Sequence, residues 1–271
     1  MDTDGTMRRV SWVLRIGAVM EFVGHGALGI IGVAAWTSYF AVAGVGSSSA
    51  QTLMPIVGCF DVAMAVAILI FPSRALILYM AAWGVWTALL RPLSGETFWE
   101  LIERAGNYGP LIGMLLMSRR GGPRGWFGYE QARMKEGVVP LAVSWTLRLT
   151  TVLVLLGHGA LGLISKPLLA SHYASIGIHA PGFETAVGAF ECILAAVVLF
   201  KPTREILLFV FAWKLATELL SPVAGSTVWV FIEHGGSYAA PLALALLQGK
   251  RRVARTGGEG ELFPPSVGHA A

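Results

Sequence analysis

The sequence predicts an all-α, polytopic membrane protein of eight transmembrane helices, arranged as two tandem four-helix bundles in parallel orientation. Three observations carry that reading. The chain of 271 residues is 55% hydrophobic and 13% charged, with mean hydropathy +0.66, against roughly 25% charged residues in a usual soluble domain. Apolar runs recur at residues 10–34, 53–71, 75–93, 106–118, 141–165, 184–200, 205–223 and 238–248, most of them close to the length of a bilayer span. Finally, the six residues from Gly24 to Gly29 return unchanged from Gly157 to Gly162, and ten of the eighteen positions from Trp12 to Gly29 match Trp145 to Gly162.

The fourth and eighth runs are too short to span alone. Extended back through Phe98 to Glu103 and through Val228 to Glu233, each reaches about twenty residues, so each copy is assigned four helices. The expected domains are a first repeat with a polar leader over 1–118, a basic linker over 119–140, a second repeat over 141–252 and a disordered tail over 253–271. Helix one is expected to be retained rather than cleaved as a signal peptide, because its equivalent lies deep inside the chain.

Charge sets the expected topology. Sixteen of the twenty Lys and Arg fall on one side of the eight-span arrangement, the exceptions being Arg91, Arg104, Lys166 and Lys214. The positive-inside rule then places both termini and the linker in the cytoplasm of a cell-membrane, multi-pass protein. An even number of spans per copy gives the two copies the same orientation. The net charge of +4 follows from this topology, so the expected partner is the lipid bilayer and not nucleic acid. Cys59 and Cys192 occupy non-equivalent positions without a CxxC spacing, so neither a disulfide nor a metal site is expected.

Within helix one, Arg15 lies low enough to reach the cytoplasmic headgroups, and Gly26, Gly29 and Gly32 form a smooth strip for close helix packing. His25 falls about 24 Å along the helix, in the outer half of the bilayer. Glu21 shares its face, although the second copy has Val154 there. A histidine repeated in both copies, His25 and His158, is either a tie between helices or part of a site. Helix two repeats a carboxylate, Gly58-x-x-Asp61 against Gly188-x-x-Glu191, which must face a polar interior. Pro72-x-Arg74 and Pro202-x-Arg204 form tight basic turns before helix three.

An early arginine, a glycine-rich first span, a Gly-x-x-acid motif in helix two and a short Pro/Arg turn before helix three resemble the DoxX-like family of four-helix membrane proteins. The resemblance covers each half separately, which implies a fused tandem pair. It also implies a four-helix fold and, for some relatives, association with quinone- or thiol-linked redox complexes. No catalytic motif carries over, and the Gly-His-Gly stretch and the Glu103 and Glu233 regions lie outside the family pattern.

Helix three repeats Trp83 as Trp213 and Thr87 as Thr217, but Lys214 and Glu218 replace Gly84 and Ala88, four apart and able to pair within the membrane. The lead-in to the last helix repeats Trp99 and Glu103 as Trp229 and Glu233. These glutamates and tryptophans suit either an interfacial belt or a site. Gathered by depth, His25, Asp61, Trp99 and Glu103 in one copy, and His158, Glu191, Trp229, Glu233, Lys214 and Glu218 in the other, form a candidate polar pocket. Such a pocket suits a lipid-soluble ligand such as a quinone, and it equally suits a structural network. Three function classes follow: an accessory or small-molecule-binding component of a membrane redox system with a redox partner protein, a membrane-embedded acid/base enzyme such as an isomerase on a lipid-soluble substrate, and a transporter.

Overall fold

A computed structural model describes residues 3–118, 125–129 and 141–258, and the described residues are helical with no strand. The first half comprises α1 (Thr3–Ile31), α2 (Thr37–Val42), α3 (Ser47–Ile70), α4 (Arg74–Leu93), α5 (Phe98–Glu103) and α6 (Gly109–Met117). The second comprises α7 (Leu141–Leu163), α8 (Pro167–Ala174), α9 (Phe183–Phe200), α10 (Arg204–Val223), α11 (Val228–Ile232) and α12 (Gly235–Gly258). Most of the expected 119–140 linker, and the part of the expected tail beyond Gly258, lie outside the described residues.

Among the described residues, seven helices are long and apolar enough to cross a membrane. Large apolar side chains such as Ile56, Ile70, Leu78, Ile193 and Phe209 stand exposed on α3, α4, α9 and α10, as a hydrocarbon solvent demands and water does not. This is a multi-pass membrane protein.

The fourth expected span, over 98–118, is not a single helix. α5 ends at Glu103, a 3-10 turn follows over Arg104–Asn107, and α6 starts at Gly109 with Pro110 in its first turn. Gly109 and Pro110 suit a restart, since proline cannot donate an amide hydrogen bond inside a continuous helix. The break brings backbone to backbone at the molecular centre: a Cβ on Gly236 would stand 1.9 Å from the carbonyl oxygen of Gly106.

In each half the first long helix packs along the second, α1 on α3 and α7 on α9. Glycine sets the approach, because a Cβ on Gly58 would lie 2.5 Å from the oxygen of Gly26, and one on Gly188 2.4 Å from that of Gly159. α4 packs on α5 and α6, and α10 on α11 and α12. The first helices also cross between halves, α1 lying against α11 and α12, and α7 against α5 and α6. The centre is therefore shared: α1, α7 and the α11–α12 span bury 56%, 67% and 72% of their apolar windows, against 28% for α3 and 33% for α9. One continuous core runs through both halves, from Leu14 and Phe22 through Leu111 and Leu147 to Leu207 and Leu244.

At the end where α1 and α7 begin, Arg15 lies over Trp12 and Arg148 over Trp145, at 4.6 and 4.5 Å. Arg148 also donates to the carbonyl of Val198, 3.1 Å away, near the end of α9. Arg74 donates to the carbonyl of Ser118 at 3.0 Å and lies over Trp126. Arg74 and Arg148 thus tie helix ends together.

Candidate functional site

The glycine contact between α1 and α3 brings His25 and Asp61 together, with His25 Nδ1 2.9 Å from Asp61 Oδ2. The imidazole stacks on Trp36, centroids 4.6 Å apart, from the turn between α1 and α2. Both residues line a cavity of about 270 Å³ in the first half, walled by Trp36, Phe40, Leu53, Val57, Trp86 and Leu90. Its polar groups include Asp61, Trp83, Thr87 and Asn107.

The rim near α2 is charged. Tyr39 donates its hydroxyl to Glu96, Arg91 pairs with the other oxygen of Glu96 at 3.4 Å, and the Arg91 guanidinium lies over the Tyr39 ring at 4.9 Å. Burial raises the Tyr39 hydroxyl above its ordinary range, against the pull of Arg91, so the phenol remains a donor at neutral pH.

The second half repeats the histidine–carboxylate pair but changes its surroundings. His158 Nδ1 lies 2.5 Å from Glu191 Oε2, and Glu191 Oε1 also accepts the indole N–H of Trp213 at 2.8 Å. Lys214 and Glu218, in place of Gly84 and Ala88, form a buried ion pair at 2.7 Å. The rim changes as well, since Arg91, Glu96 and Trp86 become Ser221, Ser226 and Ala216.

The helix-four glutamates cross between halves. Glu233 carries its backbone against Gly24 and pairs with Arg104 at 3.5 Å. Glu103 lies against Gly157 and joins Glu218 and His234, one donor atom from each within 4.8 Å of the others. His234 stands 3.6 Å from Glu218. A further cross-link joins Lys166 to Glu100 at 2.5 Å. The sequence reading grouped each glutamate with the histidine of its own copy, whereas the structure sets each against the other copy's Gly-His-Gly stretch.

Of the residues singled out from sequence, His25 and Asp61 thus meet in one cluster, and His158 and Glu191 in another. Glu103 meets Glu218, which is paired with Lys214. Glu233 meets Arg104. Trp229 packs with the group containing Leu28, Trp36 and Met54, behind the His25 stack. Trp99 is half exposed beside Phe98, and neither tryptophan lines the cavity. Sequence reasoning missed Trp36, Tyr39 and Glu96 as cavity and rim residues, and it read Arg91 only as an odd charge near a helix end. Trp83 and Trp213 carried a signal, being repeated four residues before a repeated threonine.

Chemically, the His25–Asp61 pair fixes one imidazole nitrogen and leaves Nε2 for a ligand or proton. The cavity offers an apolar body site between the polar groups around Asp61 and the Tyr39–Arg91 rim, a form common among small-molecule pockets. Comparison with protein-family models, with curated proteins and with solved structures finds no match.

Proposed function

We propose that this is a membrane protein of DoxX-like type, two fused four-helix units of parallel orientation in the cell membrane with both termini cytoplasmic. Its first-half cavity binds a lipid-soluble small molecule of the quinone or lipid class, as a component of a membrane redox system that works with a partner protein. The observation that carries the binding reading is a histidine fixed by a buried aspartate in the wall of a cavity of about 270 Å³ whose lining is mostly aromatic and aliphatic, with Thr87, Asn107, Arg91 and Arg104 as its further polar groups. Such a wall suits a ring or chain, and the imidazole suits an oxygen on it. The same pair favours a second reading, an acid/base enzyme on a lipid-soluble substrate, because the carboxylate orients the imidazole as a general base would require.

The test is native mass spectrometry and solvent extraction of protein purified in mild detergent, comparing wild type with His25→Ala and His158→Ala. A small molecule present in wild type and His158→Ala but lost from folded His25→Ala is expected. The same molecule in all three, or in none, overturns the assignment. A tightly held protein in all three, with no small molecule, makes the chain a structural subunit.

A further inference from the structure

Asp61 and Glu191 occupy equivalent positions and differ by one methylene, which decides what each carboxylate reaches. Glu191 spans two neighbours, His158 at 2.5 Å and the Trp213 indole at 2.8 Å. Asp61 holds His25 at 2.9 Å through Oδ2 and reaches no further. Its Oδ1 is buried without a hydrogen-bond partner, and so is Nε1 of Trp83, the equivalent of Trp213. Asp61 is 1% exposed. Both residues line the cavity and also the small recess at its inner end, beside Gly84, Asn107 and Glu21, whose Oε2 is likewise buried without a hydrogen-bond partner.

Buried polar groups left unpaired are costly, and more so in a low-dielectric interior. A carboxylate oxygen accepts and an indole N–H donates, so one group that satisfies both must donate one hydrogen bond and accept another. A hydroxyl does this. A bare carbonyl or ether oxygen only accepts, and leaves Asp61 Oδ1 unmet.

We propose that the inner end of the first-half cavity is a hydroxyl-recognition subsite, in which a ligand O–H donates to Asp61 Oδ1 while its oxygen accepts the Trp83 indole N–H. The inference rests on the reading that this cavity binds a lipid-soluble small molecule, and it narrows the class to one presenting a hydroxyl: a quinol, a phenol or a sterol-type alcohol. The apolar body lies among Trp36, Phe40, Leu53 and Leu90. In the second half the carboxylate and indole are already joined, so the equivalent position is closed to such a group.

The test measures binding of three matched probes to the full chain in detergent: a decyl-substituted hydroquinone kept reduced under argon, the corresponding quinone, and the hydroquinone dimethyl ether. Wild type binds the hydroquinone about tenfold tighter than the other two, the ratio that one net hydrogen bond supplies. Asp61→Glu, which lengthens the side chain to reach Trp83, and Trp83→Phe each erase that preference, bringing the ratio of hydroquinone to ether affinity to about one. Equal binding of all three probes by wild type, or a preference that survives both substitutions, overturns the hydroxyl subsite and leaves the cavity reading standing. Absence of binding by every probe, in protein that still melts cooperatively, overturns the cavity reading itself. The wild-type comparison decides the matter even where a variant does not fold.

Discussion

Gly24 in the first half lies against Glu233 in the second so closely that a Cβ would stand 2.3 Å from the Glu233 backbone nitrogen. The repeat makes the reciprocal contact, Gly157 against Glu103 at 2.2 Å. The Gly-His-Gly stretch therefore does two jobs on two helix faces. Its second glycine meets the partner helix of its own half, and its first lets the other half deliver a glutamate beside the histidine.

That interlock predicts a pattern of alanine substitutions. Gly24→Ala and Gly157→Ala each force backbone apart and should cost about 1–3 kcal/mol of stability. Gly46→Ala is the control, because nothing lies within 4 Å of the added carbon and its φ of −66° suits any residue. Thermal melting in detergent checks this. Equal midpoints for Gly24→Ala and Gly46→Ala would mean that the halves do not touch there.

Much of this was legible beforehand, and the remainder failed for identifiable reasons. Apolar run lengths marked seven of the helices, and of the three glycines read as a packing strip Gly26 and Gly29 do meet α3, whereas Gly32 ends the helix at a positive φ with nothing within 4 Å. The crossing of Glu103 and Glu233 was not legible. A repeat shows which residues are equivalent, but an exchange between equivalent halves leaves the sequence pattern unchanged. The broken span at Arg104–Asn107 was hidden by reading apolar content through a glycine-rich stretch. The difference between Asp61 and Glu191 was visible as letters, yet its meaning depends on where Trp83 and Trp213 stand.

Lys214 is 1% exposed and pairs with Glu218 at 2.7 Å. Lys214→Met strands a buried carboxylate near Glu103 and should cost about 3–5 kcal/mol. Pairing it with Glu218→Leu removes both charges, and the double variant should recover most of that loss, because a buried ion pair is often worth no more than the apolar groups that replace it. A double-mutant cycle on melting midpoints measures the coupling. Additive losses would show that the two side chains do not act on each other.

Glu103, Glu218 and His234 bring donor atoms within 4.8 Å of one another, a spacing that three ligands of one metal ion also adopt. The Lys214 ammonium beside Glu218 already supplies a cation there, and a divalent ion would be repelled by it. Prolonged treatment with a chelator should therefore leave the melting midpoint unchanged, and elemental analysis should find no stoichiometric metal. A stoichiometric zinc or iron, or a midpoint that falls on chelation and returns on adding metal, would reverse this assignment.

His172 gives the molecule a predictable response to acid. It lies on α8, outside the spans, is buried, and has an Nε2 without a hydrogen-bond partner. Burial lowers its pKa from the ordinary 6.5, with Glu218 pulling upward and His158, Lys166 and His234 adding to the downward push. Above the ordinary value the ring is neutral whether the chain is folded or not, so it contributes nothing to pH dependence. As pH falls below that value, the unfolded chain takes up a proton that the folded one refuses. Stability is then lost until pH passes the lowered folded value. Melting midpoints should fall as pH is lowered through and below the ordinary 6.5, and His172→Phe should remove a measurable part of that slope. Parallel slopes for the two proteins would mean that the folded state accepts the proton as readily as the unfolded chain.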